Sequence, residues 1–319
     1  MADRPTLSAA DAALLREQHY NATVNSVVDV HSDLRILRID PDSGMPGFEP
    51  GQYTVLGLGH WEEAIDGSEH ELARPRDAEK LVRRAYSFSC PMLDDAGDLL
   101  PPSETPFAEF YIALVQRSDI HPPSLTPRLF QLSAGDRLFM GDKVTGHYTL
   151  EPVAPGDNVV LAATGTGEAP HTGMVAQLLA GGHTGRVAVV TCVRHRRDLA
   201  YAKAFGELES RYDGFRYLML TTREPENVDP SAVGYVGKRY LQDYFDSGDF
   251  EREAGFPLEP ERTHVFLCGN PSMIGAPHRT RAGDDRYPTP RGMVEVLENR
   301  GFRIDERDRP GNLHFEKYW

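Results

Sequence analysis

Between Pro152 and Gly156 the patterning of the chain changes. Before that point apolar and polar residues alternate in short runs separated by turn residues, the period-two signature of strands with one buried face. Ala22–Val30 and Leu34–Ile39 read as a strand pair, and Phe48-Glu-Pro-Gly-Gln-Tyr-Thr-Val-Leu56 as a Pro-Gly turn leading into a third strand. Further strands are expected at 84–89, where Pro91 stops the run, at 107–116, around 136–141 and around 146–151. After the change, continuous apolar runs alternate with helical segments. Asn158–Ala163 is followed by a Gly-rich turn and a helix at 171–180, Arg186–Val193 by a helix at 199–212, and Phe215–Thr222 and Thr263–Gly269 are further strands. Strands alternating with helices build a parallel sheet. A chain of 319 residues ordinarily divides into about two domains. The expected fold is an antiparallel β-barrel of about six strands over residues 1–154, then an α/β domain with a parallel sheet over residues 155–319.

The remaining segments fit around these two halves. Residues 8–19 read as a short helix with Ser8 as N-cap and Asp11 completing a weak capping box. Thr126 followed by Pro127 reads as the N-cap and first residue of another. The polar stretches 60–81, 93–106 and 249–262 read as loops, and 275–291, rich in Arg, Pro and Asp, as an insertion. A helix at 292–300 and a strand at 313–319 close the chain.

Charge and cysteine content exclude several function classes. Lys and Arg total 34 against 48 Asp and Glu, a net charge of −14, which argues against nucleic acid as the main partner. No apolar run approaches the roughly 18 residues that span a membrane, and the N-terminus has no signal-peptide pattern. A cytoplasmic monomer is the expectation. Cys90, Cys192 and Cys268 fit no zinc motif, no disulfide framework and no plant-type iron–sulfur spacing.

Chemistry concentrates in four places. Arg84-Ala-Tyr-Ser-Phe-Ser89 places a guanidinium, a phenol and hydroxyls on one strand, a set that suits a flavin dinucleotide: Arg84 can fork onto a pyrophosphate, Tyr86 offers a ring face and Ser87 a hydrogen bond. Thr164-Gly-Thr-Gly-Glu-Ala-Pro170 joins a strand to a helix, and its glycines let backbone approach a second pyrophosphate at the helix N-terminus. Arg194 and Arg223 follow adjacent strands and Lys238 comes soon after; such cations either converge on one dianion or sit solvated. Cys268-Gly-Asn-Pro-Ser-Met273 is again strand, turn and helix start.

In this order, these segments resemble the ferredoxin/flavodoxin–NADP reductase family. Arg84, Tyr86 and Ser87 match its Arg-x-Tyr-Ser, Phe48 to Tyr53 its Phe-x-x-Gly-Gln-Phe/Tyr, Thr164 to Pro170 its Gly-Thr-Gly-x-Ala-Pro, and Cys268 to Met273 its Cys-Gly-x-Pro-x-Met. The Tyr318-Trp319 ending is most similar to the bacterial members. The resemblance implies an FAD-containing enzyme that exchanges hydride with NADP(H) and single electrons with ferredoxin or flavodoxin. It implies that Arg84, Ala85, Tyr86, Ser87, Tyr111 and Thr126 hold FAD, and that Thr164, Gly165, Thr166, Gly167, Gly269 and Met273 hold the nicotinamide nucleotide. It further implies that Arg194, Arg223 and Lys238 hold the 2′-phosphate. Ser87, Cys268, Glu316 and Tyr318 would stand at the reacting rings, with Trp319 over the adenine end of FAD. Two positions depart from the family: Pro123 stands where a Gly is expected, and Glu168, where an apolar residue is common, puts negative charge beside the phosphates. An acidic carrier would dock on a local basic patch, with Arg83, Lys317, Arg279, Arg281, Arg286 and Arg291 as candidates. The alternatives are the reductase component of an oxygenase, and a non-catalytic flavin sensor.

Overall fold

The computed structural model describes residues 7–68, 77–117, 123–279 and 285–318. They form two compact units, Met1–Cys90 with Pro102–His147, and Pro91–Pro101 with Tyr148–Trp319.

The first unit opens with helix α1 (Ala9–His19). The Ser8 hydroxyl accepts the Asp11 N–H at 3.1 Å and donates to the Asp11 carboxylate at 2.6 Å, so one short side chain closes the helix start. Six strands follow: β1 (Ala22–His31), β2 (Leu34–Pro41), β3 (Tyr53–Gly59), β4 (Leu81–Ser87), β5 (Ala108–Ala113) and β6 (Arg137–Met140). They lie in the order β4-β3-β6-β1-β2-β5, every neighbour antiparallel. Bulges in the β1–β2 ladder bend the sheet. Past the end of β4, Ser89 bridges Glu109 of β5, with its N–H on the Glu109 carbonyl at 2.8 Å, and ties the two edge strands at that point. The result is a barrel-like antiparallel sheet. Its core holds Val24, Leu37, Ile39, Leu56, Phe110 and Leu138, and Phe88 stacks on Phe48 with ring centres 4.2 Å apart.

The strand expected around 146–151 does not form. β3 is already paired with β4 on one side and β6 on the other, and only Thr145 finds a bridge, to Tyr53. Gly146 then turns the chain at φ +126°, and Tyr148 and Leu150 are buried with the second unit.

In the second unit β7 (Asn158–Thr164), β8 (Val187–Val193), β9 (Phe215–Thr221) and β10 (Thr263–Gly269) make a parallel sheet with the last strand, which runs over Leu313–Lys317. Every residue of β8 is buried, as a sheet covered on both faces requires. A two-residue ladder of β11 (His278–Arg279) and β12 (Asp285–Arg286) lies in the expected insertion, which makes Leu313–Lys317 β13. The order is β13-β10-β7-β8-β9. From β7 the chain winds outward through β8 and β9, then returns to place β10 on the other flank of β7. The order of strands therefore reverses between β7 and β10.

The helices, after the one-turn α2 (Thr126–Leu129) of the first unit, are α3 (Ala169–Ala180), α4 (Ala202–Arg211), α5 (Pro225–Val228), α6 (Leu241–Asp246), α7 (Asp249–Ala254), α8 (Pro271–Ile274) and α9 (Met293–Glu298). Helix α7 lies inside the stretch read from sequence as the loop 249–262. Arg252 and Glu253 face water while Phe250 and Ala254, four apart, are buried, and Phe250 stacks on Phe245 of α6 at 4.6 Å. No helix among the described residues is long and apolar enough to cross a membrane.

Candidate functional site

Open parallel sheets bind ligands beyond the carboxyl ends of their strands, where the strand order reverses. In the second unit that place is the gap between β7 and β10. Residues Gly165–Glu168 leave β7 as a 3-10 turn that leads directly into α3. A Cβ at Gly167 would stand 2.3 Å from the Cys268 carbonyl oxygen of β10 and 2.9 Å from Gly269 Cα. Gly269, at φ +123°, has the reciprocal constraint: its Cβ would meet the Thr164 hydroxyl at 2.5 Å. That hydroxyl accepts the Asn270 N–H at 2.8 Å. Only glycine fits at either position, so the Thr164–Gly167 turn and the Gly269 turn are pressed together. Met273 is buried beneath them in α8. The start of the 12-residue α3 gives this place the positive end of a helix dipole.

Three sequence-nominated cations gather beside it. The Arg223 N–H donates to the Arg194 carbonyl at 2.9 Å, which joins the ends of β8 and β9. Asn227 then donates its side-chain N–H to the Gly237 carbonyl at 3.2 Å and accepts from the Glu224 N–H at 3.1 Å, which draws the Gly237-Lys238 segment onto the same turn. Arg194, Arg223 and Lys238 are exposed, and none has a carboxylate partner among the described residues. The neighbouring Arg196 differs: its guanidinium is paired with Glu226 at 2.5 Å. The structure thus separates free cations from structural ones, which the run Arg194-His-Arg-Arg197 could not do.

At the end of β10, the register sets Cys268 beside Glu316 and Gly269 beside Lys317, and the Tyr318 N–H donates to the Gly269 carbonyl at 3.0 Å. Cys268, Glu316 and Tyr318 therefore come together. Burial pushes the Cys268 thiol well above its ordinary range, the Glu316 charge adds to this, and a hydrogen bond with Tyr318 opposes it. Cys268 is a neutral thiol, not a nucleophile. Burial also raises the Glu316 carboxyl. Trp319 lies outside the described residues.

The Glu168 carboxyl is buried beneath the turn, with Oε1 accepting from the Thr191 hydroxyl at 2.6 Å and the Tyr217 phenol at 2.9 Å. Burial pushes it up to about 7. One turn on, His171 is fully buried against the Tyr148 hydroxyl at 2.8 Å and pushed down to about 3 by burial.

In the first unit, Arg84 and Ala85 are exposed on β4, Tyr86 is half-buried and Ser87 buried. The Arg84 guanidinium donates to the Arg83 carbonyl at 2.8 Å and to the Ser124 hydroxyl at 3.2 Å. Burial raises the Tyr86 phenol above its ordinary range. A cavity of about 520 Å³ opens over Arg83, Arg84, Ala85, Val55, Phe139 and Lys143. Sequence reading did not nominate Lys143 or Ser124. Nor did it foresee that Arg83 packs over the Phe139 ring at 4.2 Å. Tyr111 is buried in β5.

Thr126 is not an N-cap: it is the first residue of α2, the capping position falls to Leu125, and no side chain caps the helix. The Thr126 hydroxyl is already committed, accepting the Val115 N–H at 3.1 Å, and so fastens the chain that follows β5. Among the proposed docking cations, Arg291 is paired with Asp246, Arg281 lies outside the described residues, and the Arg279 side chain is likewise not described.

Residues 161–279 match the model of the oxidoreductase NAD-binding domain. The flavodoxin/ferredoxin–NADP reductase of Escherichia coli is 29% identical over 228 residues, covering 71% of this chain and 76% of that protein. The ferredoxin–NADP reductase of Pseudomonas aeruginosa is 28% identical over 280 residues, 85% of this chain and 86% of that protein. Among solved structures, a ferredoxin NADP+ reductase from Neisseria gonorrhoeae with bound FAD and NADP superposes with a TM-score of 0.68 at 18% identity, covering 94% of this chain and 98% of that one.

Proposed function

We propose that the chain is a member of the flavodoxin/ferredoxin–NADP reductase family, to whose members it is similar over most of its length, and that it passes electrons between NADP(H) and a one-electron carrier, ferredoxin or flavodoxin, through FAD. The observation that carries the reading is the second unit's switch point: a turn only glycine can form, a helix N-terminus above it, and three cations without carboxylate partners beside it. A dinucleotide bearing an extra phosphate presents charges for both parts. The turn and the α3 N-terminus would take the pyrophosphate, and Arg194, Arg223 and Lys238 the 2′-phosphate.

The first unit is assigned to FAD. Arg84 is exposed and aimed by Ser124, which suits a pyrophosphate, and Tyr86 and Ser87 offer a ring face and a hydroxyl. Bound FAD supplies the conversion between two-electron and one-electron traffic. The chain's own residues bind, orient and exclude water; Ser87, Cys268, Glu316 and Tyr318 are assigned to the reacting rings, and Trp319 to FAD. With its thiol neutral, Cys268 serves packing and orientation instead of proton or covalent chemistry. The carrier would dock electrostatically, with Arg83 and Lys143 as exposed cations beside the flavin strand.

The test is spectroscopic. The purified protein should be yellow with one FAD per chain, and rapid mixing with NADPH should bleach it within turnover time. A colourless protein that gains no FAD on reconstitution refutes the reading, and a yellow protein that NADPH does not bleach leaves a flavin binder with no reductase activity.

A further inference from the structure

The turn assigned to the pyrophosphate ends on Glu168, which occupies the N-cap position of α3 without capping it. Its carboxyl runs under the turn and joins it to two strands, through the Thr191 hydroxyl of β8 and the Tyr217 phenol of β9. These two lie on one face of the sheet, because Tyr217 pairs with Val189, two residues from Thr191. Oε2 is buried and has no hydrogen-bond partner among the described residues.

Burial and the Thr191 and Tyr217 hydroxyls are what act on the carboxyl, and no charged group among the described residues does. Tyr217 comes from β9 and His171, pushed down to about 3, from α3. From β7 the turn inherits only Thr164. Among the described residues no cation offsets a Glu168 carboxylate, and ionisation leaves one oxygen buried and without a hydrogen-bond partner. Burial raises the carboxyl to about 7, so both forms are populated near neutrality. An anion docking on the adjacent backbone adds like charge and favours the protonated form.

We propose that Glu168 is a positioning residue that takes up a proton when a nicotinamide dinucleotide docks on the Gly165–Gly167 turn, so that nucleotide affinity falls as pH rises through neutrality. The inference rests on the assignment of that turn to the nucleotide. Coupling is reciprocal: if the bound anion favours the proton, the proton favours the anion by the same factor. Both forms accept from Thr191 and Tyr217 and hold the turn on β8 and β9, but only the carboxylate places a negative charge under the ligand and repels it.

The experiment is titration calorimetry of the FAD-loaded protein with NADP+ from pH 6 to 8.5, in buffers of different ionisation enthalpy, for the wild type, Glu168→Gln and Tyr217→Phe. The wild type should take up a fraction of a proton, and its Kd should weaken by up to about tenfold for each pH unit above the midpoint. Glu168→Gln should show only the proton change of the nucleotide's own 2′-phosphate, which titrates near pH 6, is a release because cations favour its dianion, and is common to all three proteins. Tyr217→Phe removes a donor from the carboxylate and should move the midpoint to higher pH with uptake retained. An equal net proton change in wild type and Glu168→Gln overturns the proposal. If Glu168→Gln does not fold, an unmoved midpoint in Tyr217→Phe overturns it. Absence of NADP+ binding at every pH in the wild type overturns the functional reading itself.

Discussion

The buried carboxyl of Glu168 makes the stability of the second unit depend on pH in the sense opposite to that of an ion-paired carboxylate. The informative change is Glu168→Gln in the protein without nucleotide. Burial raises the carboxyl from its ordinary 4.5 to about 7. A folded group that holds its proton more tightly than the unfolded chain adds stability that is fully present below about pH 4.5, is lost as pH rises through about 7, and is constant above that. At about 1.4 kcal/mol per pH unit, the loss over that window is about 3 kcal/mol. Gln cannot ionise, so its contribution is flat. Its Oε1 can still accept from Thr191 and Tyr217, while its amide leaves buried N–H groups without partners at a cost of about 1–3 kcal/mol. That cost is the same at every pH and drops out of the comparison. Denaturant unfolding followed by far-ultraviolet circular dichroism, at steps from pH 4.5 to 8.5, gives the difference in stability between wild type and variant. Wild type should be the more stable at pH 4.5 and should lose about 3 kcal/mol of that advantage by pH 8.5. Parallel curves would show that Glu168 is ionised, or neutral, throughout, and the account of its burial would be wrong.

Other outcomes follow from the same geometry. Arg194→Ala should weaken NADPH by roughly 10- to 150-fold, the worth of a charge-assisted hydrogen bond, and leave NADH nearly unchanged; equal losses in steady-state KM would refute the phosphate assignment. Gly167→Ala drives a Cβ into the Cys268 carbonyl, and should cost about 1–3 kcal/mol by thermal unfolding and lose nucleotide binding while keeping FAD. His171 is pushed down from 6.5 to about 3, so it contributes stability that is present above pH 6.5 and lost as pH falls toward 3. His171→Gln should flatten that acid limb by up to about 5 kcal/mol in the same denaturation series. Ser87→Ala should slow single-turnover flavin reduction in a protein that stays yellow, and an unchanged rate would leave Ser87 a structural hydroxyl.

Much of the fold was legible because local signals agreed. Ser8 capped α1 as its position three before Asp11 suggested, and the apolar runs of β7, β8 and β10 were long enough to mean strands buried on both faces. The failures came where tertiary pairing decided. Residues 146–151 have a strand's composition, but β3 had no free edge to offer. Asp249–Ala254 reads as a polar loop because its two apolar residues carry little weight in a run of charges. It is a helix because Phe250 has Phe245 to stack on. Thr126 shows the same limit on a smaller scale: a hydroxyl before a proline is a good cap only if nothing else claims it, and Val115, distant in sequence, does.

For the site, the glycines were legible because close backbone approach leaves only one residue type possible, and Gly167 and Gly269 each reject a Cβ for the sake of the other. The cations were legible as positions but not as states. Sequence cannot tell that Arg196 is spent on Glu226 while Arg194 is free. Glu168 was legible as an anomaly, a charge next to a phosphate turn, but neither its burial nor its partners were. Its true partners, Thr191 and Tyr217, are 23 and 49 residues away, and they meet only because parallel register sets Val189 beside Tyr217. A residue type that contradicts its motif therefore calls for a search of the sheet beneath it for hydroxyls. Two donors on one carboxyl oxygen and none on the other mark a group held between neutral and charged, a condition that an apolar residue at position 168 could not supply.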